Sequence, residues 1–533
     1  MLRIVNIRTT APMVKPLETL VAKKLRCKTQ DIERIIIVRR SVDARRKPHI
    51  YFVFTVDVVL RHEEMYWKRC RDHKDIRKLT IEEEPPIIVG QKPMMKRPVV
   101  IGTGPAGLAA ALELSRLGYK PLVLERGQDV DTRTADIENF WNKGIFKASS
   151  NVQFGEGGAG TFSDGKLTTR VHHPLIPRIL QMFIHAGAPD EIAYAYNPHV
   201  GTDILRNVVK NMRKTIEKQG GQVRFGSCVT SIEIEHGNVT AVIVNGTERI
   251  PADIVILGIG HSARDTFSML YENGVTMEQK DFAIGVRIEH DQDLIDHSQY
   301  GCSAAALGLD AADYALVYHN KEGRSCYSFC MCPGGVVVAA ASEEGRVVTN
   351  GMSLYKRDSG VANSALVVNV TAADIGGDSP LAGVEFQRRY EELAFRAGGS
   401  NYHAPAQTVG DFLGRTGEGK MQSYASYKPG ITWADLHEVL PGFVTDTLAD
   451  ALPWFGRKIH GFDDNDAVMT GVETRTSSPV RIIRDDTRQA VGTAGLYPVG
   501  EGAGYAGGIM SAFLDGLETA IAIIQIYKPL EGQ

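Results

Sequence analysis

Cysteine is scarce in this chain. Seven residues scattered over 533 positions cannot build a disulfide framework, which sets aside the small secreted scaffolds and points to a reducing cytoplasm. Long apolar runs are missing as well. No stretch approaches the roughly 20 residues of a membrane span, and Ile521–Tyr527 is far too short, so no membrane span is expected. The opening MLRIVNIRTT alternates like a strand and lacks the apolar core of a signal peptide. No histidine stands near the cysteines at a spacing that completes a tetrahedral site. Adjacent His172 and His173 would point to opposite sides of an extended segment, so no metal is expected. Net charge is all but absent too: 60 Lys and Arg against 63 Asp and Glu leave −3.

What is present is unevenly spread. Residues 1–80 carry 20 Lys and Arg against 9 Asp and Glu, and the rest carry 40 against 54. The first segment therefore differs in kind. Its pattern reads strand (Leu2 to Ile7), helix (Pro16 to Leu25), two strands (Ile32 to Arg39 and Ile50 to Leu60) and a second helix (Glu63 to Leu79). That order predicts a small ferredoxin-like α+β module over residues 1–84. Prolines 85, 86, 93 and 98 mark a linker over 85–98. Arg39, Arg40, Arg45, Arg46 and Lys47 cluster at one turn of the module. Two readings compete: a positive face docked on the acidic body, or a nucleic-acid-binding appendage. No aromatic-rich RNA signature accompanies the cluster, and Tyr51, Phe52 and Phe54 fit a strand core, which favours docking.

The most specific pattern is VVIGTGPAGLAAALELSRLGYKPLVLERG, Val99 to Gly127. Val99 to Ile101 ends a buried strand, and Gly102, Gly104 and Gly107 form a G-x-G-x-x-G turn. Leu108 to Leu117 is a helix of small and apolar residues, and Leu122 to Leu124 is the next buried strand. Glu125 closes the unit 23 positions after Gly102, where a dinucleotide fold places the acid that holds a ribose hydroxyl. The first glycine makes the turn and the second lets backbone amides approach a pyrophosphate. The third lets helix and strand pack closely, and the helix N-terminus adds partial positive charge.

The Glu125-Arg126-Gly127 ending resembles the glutathione-reductase-like class of FAD proteins, and three more segments are similar to that class. A loop from Val152 to Lys166 holds five glycines between Gly155 and Gly165. Ala252 to Ser262 resembles the strand that returns to the FAD domain. Gly495 to Gly504 resembles the closing strand, with Glu501 where the class has Asp, and leads through Gly508 into a helix ending near Tyr527. Beyond the class, the chain resembles end to end a family of uncharacterised bacterial FAD-dependent dehydrogenases. The match includes Arg40 to Arg45, Phe282 to His290, Phe329 to Gly335, Asn350 to Ser353 and Gly471 to Pro479.

The resemblance implies FAD as cofactor. It places on it Gly102, Gly104, Pro105, Ala106 and Gly107 of the turn, with Glu125 and Arg126. Gly158, Gly160, Thr161 and Lys166 would come from the glycine loop, and Val229 would clasp adenine by its backbone. Gly258, Gly500, Glu501, Gly508 and Ile509 complete the set. The implied fold is α/β: an FAD-binding Rossmann-type domain over 99–280 and 474–533, with an inserted sheet-rich α+β substrate domain over 281–473. Within the insert, Pro380 to Gly398 and Thr432 to Leu440 read as helices. No second dinucleotide fingerprint occurs there, so a separate nicotinamide domain is not expected.

Charged residues inside apolar or junction segments are the catalytic candidates. Arg287 sits within the Phe282 to Ile288 strand, where a bare guanidinium would be costly. Glu473 and Arg475 flank Thr474 where the chain re-enters the FAD domain, and Arg357 is a weaker case. Each could instead form an internal salt bridge. Cys326, Cys330 and Cys332 share parity, so on a continuous strand they would point to one face, as buried apolar thiols or with one facing the flavin. The expected function is an FAD-dependent oxidoreductase moving hydride between a small, anionic substrate and flavin N5, with a separate electron acceptor or donor. The alternatives are a flavoprotein acting on RNA through residues 1–84, and a flavin-binding protein without turnover.

Overall fold

The computed structural model describes residues 1–79, 86–415 and 424–530. Pro85, with the end of the basic module at residues 80–84, lies outside the described residues.

Leu2–Thr10 alternates buried and exposed positions, so one face of the strand lies on the module core. Leu2 and Ile4 meet Val21 and Leu25 of helix Leu17–Leu25 and Val56 and Val58 of strand Tyr51–Leu60. The sheet order is Ile32–Asp43, Tyr51–Leu60, Leu2–Thr10, Ile76–Lys78, all antiparallel, which is the ferredoxin-like arrangement. One expectation is corrected here. The helix read as Glu63 to Leu79 stops at Cys70, and Ile76–Lys78 pairs with the first strand instead. The sheet needs an edge partner for Leu2–Ile4, and that long-range pairing overrides local helical propensity.

The module meets the body through the basic turn. The Arg40 amide donates to the Tyr194 carbonyl at 2.7 Å, and the Tyr196 amide donates to the Arg40 carbonyl at 3.0 Å. The Arg40 guanidinium lies 3.5 Å from Glu191, Arg39 stacks over Tyr196, and Lys47 donates to the Ser298 carbonyl. Arg45 pairs within the module, with Asp43.

The nucleotide-binding sheet is parallel and five-stranded, in the order Leu496–Pro498, Val255–Leu257, Val99–Ile101, Leu122–Leu124, Gln222–Arg224. Gln222–Arg224 ends this sheet, and Val229–Glu235 starts a separate antiparallel one with Asn238–Val244 and Glu248–Pro251. Gly226, in left-handed backbone at φ 60°, turns the chain between them.

Helix Ile509–Ile526 is long and apolar enough, by length and composition alone, to cross a membrane, which the count of apolar runs had passed over. In the fold it is a core helix. Gly516 lies so close to helix Pro105–Arg116 that a Cβ would sit 2.0 Å from the Ala106 carbonyl oxygen. It is apolar nearly all round because protein covers most of it.

The insert is built on a seven-stranded sheet. Its order is Val317–His319, Ser325–Cys332, Val361–Val370, Phe282–Asp291, Val468–Glu473, Ala404–Thr408, Ile431–Trp433. Helix Ala382–Ala397 matches its expected span. Thr432 to Leu440 does not form the expected helix: Ile431–Trp433 joins the sheet edge and Leu436–Glu438 makes a short 3-10 turn. The cysteine parity also fails. The strand bulges between Phe329 and Cys332, with Cys330 in left-handed backbone at φ 44°. Cys326 is buried in the insert core, whereas Cys330 is turned out of it.

Candidate active site

The G-x-G-x-x-G turn follows strand Val99–Ile101 directly and opens helix Pro105–Arg116. Gly102, at φ 92°, crosses so close to the next strand that a Cβ would lie 2.4 Å from the Gly258 carbonyl oxygen. Gly107 is pressed on the turn itself, with a Cβ position 2.0 Å from the Gly102 carbonyl oxygen. Gly104 is different. Its Cβ position is open, with Gly158 of the glycine loop facing it at 4.0 Å. No side chain caps the helix at Gly104 and no acid stands in its first turn, so its amides remain available to an anion.

A cavity of about 380 Å³ runs through this gap. Glu125, Arg126 and Val229 line one part of it, and Gly104, Pro105, Ala106, Gly158 and Gly160 line the glycine cradle. Gly500, Glu501, Gly508 and Ile509 form the wall beside the final helix, with Gly102, Gly258 and Lys166 also lining. The insert contributes Phe329, Cys330, Asn350, Glu473 and Arg475. Of the expected cofactor residues, Gly107 and Thr161 stand back from this cavity. Gly107 packs helix on turn, and the Thr161 hydroxyl donates to the Glu156 carbonyl at 3.3 Å.

Glu125 is buried and richly bonded. One oxygen accepts from the Thr103 amide at 2.9 Å and the Thr103 hydroxyl at 2.7 Å, the other from the amides of Gly127 (2.9 Å) and Gly155 (3.0 Å). Those four bonds match the lone-pair capacity of a carboxylate. Glu125 thus ties the glycine turn to the glycine loop, and a ribose hydroxyl would share or displace the Thr103 hydroxyl. Arg126 pairs with Asp265 at 2.8 Å and lies over Phe154.

Arg133 supports the loop from behind. Fully buried, it donates to the carbonyls of Asn151 (2.8 Å), Val152 (2.8 Å) and Glu156 (2.7 Å). Sequence reading missed it, because nothing in its helix, Val130–Lys143, sets it apart from a surface arginine.

The three catalytic candidates are all buried and fall into two clusters. Arg287 grips Glu473 at 2.9 and 3.1 Å, and donates to Asn363 at 2.8 Å and to the Cys330 carbonyl at 3.2 Å. It is not among the cavity-lining residues; Glu473 is. Burial disfavours the Arg287 charge, but Glu473 more than offsets this and raises its pKa.

Arg475 lines the cavity yet is also held. It meets Glu391 at 2.9 and 3.0 Å, and its remaining nitrogen donates to the hydroxyls of Ser262, at 3.0 Å, and Ser342. Arg264 grips the same Glu391 at 2.7 and 2.8 Å and reaches Glu343 at 2.6 Å. Although burial opposes it, the two guanidinia keep the Glu391 carboxyl well below the usual carboxylate range. Arg357 is likewise paired, with Asp164. Among the described residues no group of three His, Cys, Asp or Glu is placed to hold a metal ion.

Glu501 and His261, both lining the cavity, titrate far from their ordinary values. Burial pushes Glu501 up to about 7, opposed by Lys280 and reinforced by Cys330. Burial, then the charges of Arg475 and Arg264, pull His261 down to about 3, so its ring is neutral.

Residues 281–476 match the family described as FAD-dependent protein, C-terminal domain-like, and residues 100–155 match an NAD(P)-binding Rossmann-like domain. Residues 1–59 match a domain of unknown function. An uncharacterized protein of Clostridium beijerinckii is 50% identical over 511 residues, covering 96% of each chain. Among solved structures, CtdE in complex with FAD is 14% identical, covering 79% of this chain and 83% of its own, with a TM-score of 0.31. The glycerol-3-phosphate dehydrogenase of Bacillus halodurans complexed with FAD is 12% identical, covering 81% and 65%, with a TM-score of 0.34. Those two likenesses are remote. The open glycine cradle and the uncapped helix fit the pyrophosphate of FAD, and the cofactor is FAD. The chain belongs to the family of the Clostridium beijerinckii protein, and in it a Rossmann-like domain is joined to the C-terminal domain of an FAD-dependent protein.

Proposed function

We propose that the protein is an oxidoreductase in which hydride passes between a small substrate and the flavin N5, with a separate electron acceptor or donor completing the cycle. The observation that carries this reading is the continuity of one cavity from the dinucleotide cradle to the insert wall, where ionisable side chains meet it. Bound there, the flavin supplies the two-electron chemistry.

Residues of this chain do the rest. Arg133 and Glu125 hold the glycine loop in shape. Arg475 and Arg287 have their guanidinium forks on Glu391 and Glu473, so they position the wall rather than offer a free fork to a substrate carboxylate. Lys166 is the cation we assign to an anionic substrate: one of its donors goes to the Met331 carbonyl and the ammonium has two more. Glu501 is assigned the proton, since its carboxyl changes charge near neutrality at the cavity wall. The RNA reading is not favoured, because Arg39, Arg40 and Lys47 contact the body.

Anaerobic screening of small-molecule pools for bleaching of the flavin tests this function, with bleaching by an anionic metabolite expected. A protein that stays colourless after reconstitution with FAD would end the reading.

A further inference from the structure

Cys330, which lines the cavity, and Cys332 behind it are nucleophilic side chains that the proposed hydride chemistry leaves unused. Both are carried by the bulge that breaks strand Ser325–Cys332. On a regular strand, residues two apart would hold their sulfurs apart as neighbours on one face. Here the left-handed backbone at Cys330 turns the chain, and the Cys332 thiol reaches back to donate to the Cys330 carbonyl at 3.3 Å. Cys330 lines the cavity, at the same insert wall as Phe329 and Glu473. Cys332 is fully buried behind it, with an Arg287 nitrogen 3.9 Å from its sulfur.

We propose that Cys330 and Cys332 form a redox-active dithiol that exchanges an electron pair with the flavin in this cavity. The inference rests on the FAD oxidoreductase reading above. In the oxidising direction a sulfur–sulfur bond forms between the two residues and both thiol protons are lost. The electron pair and one proton pass to oxidised flavin, and the second proton leaves to solvent; reduction runs the same steps backwards. A disulfide closed over a single intervening residue is strained, which places it among labile rather than structural bridges.

The surroundings divide the pair into an attacking and a holding thiol. The neighbouring Cys332 side chain lowers the Cys330 thiol against the cost of burial, with Arg287 and Lys166 adding to the effect. Cys332 moves far upward. Facing Cys330 are Cys332 from its own strand, Arg287 from Phe282–Asp291, Glu473 from Val468–Glu473, Lys166 after the glycine loop, and Glu501 before the final helix. The two cations favour the thiolate and the two carboxylates oppose it.

Anaerobic dithionite titration of the FAD-loaded protein reads the store directly. Four electron equivalents per flavin are expected for the wild type and two for C330S and for C332S. Iodoacetamide followed by peptide mass mapping should find both cysteines blocked in the oxidised protein and both alkylated after full reduction. Two equivalents in the wild type, with both cysteines alkylated while the flavin is oxidised, would overturn the dithiol and leave the oxidoreductase standing. Failure to bind flavin at all would overturn both.

Discussion

Arg264 and Arg475 close on one carboxylate, that of Glu391, from opposite ends of the FAD domain's two halves. Arg264 precedes the first strand of the seven-stranded sheet, Phe282–Asp291, Arg475 follows its strand Val468–Glu473, and Glu391 lies between them in sequence, on helix Ala382–Ala397. The cluster therefore fastens insert to FAD domain at both chain crossings. Replacing Glu391 by Ala leaves two buried guanidinia facing each other. The expected cost is about 3–5 kcal/mol of stability, measured as a lower urea midpoint. An unchanged midpoint would show that the cluster is not structural.

Gly104 offers a cleaner probe of the cradle. Its φ of −67° suits any residue and its Cβ position is open, so Gly104→Ala should fold normally. The added methyl would occupy the space between Gly104 and Gly158. FAD affinity should fall at least about tenfold, roughly 1.4 kcal/mol, with the apoprotein melting temperature unchanged. Full flavin content in purified Gly104→Ala would refute the placement of the pyrophosphate.

Stability should fall with acid in a window set by histidines. Burial pulls His290 down to about 4 while its Nε2 hydrogen-bonds the Phe462 carbonyl at 2.8 Å, and His261 lies lower still, at about 3. Below about pH 6.5 the unfolded chain protonates both rings and the folded chain neither. The unfolded state then holds more protons, so stability rises with pH and is lost as pH drops from about 6.5 toward 4. Each ring contributes a slope of up to about 1.4 kcal/mol per pH unit. Glu501, raised to about 7, works in the opposite direction over the same range, so the histidine contribution is read by difference: the slope of urea midpoints over pH 7, 6 and 5 should be lower in His290→Gln than in the wild type. A slope unchanged by His290→Gln would contradict the burial assigned to that ring.

Glu501 predicts a kinetic signature. Once a reducing substrate is found, the rate of flavin bleaching should change with an apparent pKa near 7. Glu501→Gln should remove that inflection and slow bleaching by about 10²–10⁴-fold, with FAD content retained. A wild-type profile surviving in Glu501→Gln would assign the proton elsewhere.

The first βαβ unit was legible because its information is local. Strand, turn, helix and acid lie within one run, and Gly102 and Gly107 are demanded by contacts made inside it or with the adjacent strand. The pairing of the arginines was not. Glu391 lies 127 residues from Arg264 and 84 from Arg475, on a helix that carries several other charged residues, so no spacing rule links them. Short edge strands failed for a related reason. Ile76–Lys78 and Ile431–Trp433 carry three residues each, too few to show a period, and exist because a distant strand offers free backbone groups. The return of the Cys332 thiol onto the Cys330 carbonyl was hidden by the bulge, which parity counting assumes away.

The position of strand Leu496–Pro498 sets when the protein can acquire its cofactor. It lies beside Val255–Leu257, and helix Ile509–Ile526 after it supplies a cavity wall and packs on the helix that begins at Pro105. On the ribosome, the glycine turn and loop emerge hundreds of residues before that wall is made. The nascent chain must therefore carry an open half-site through synthesis of the whole insert. FAD capture becomes a late event of biogenesis, and chains interrupted before the last helix would be released as flavin-free material for proteolysis.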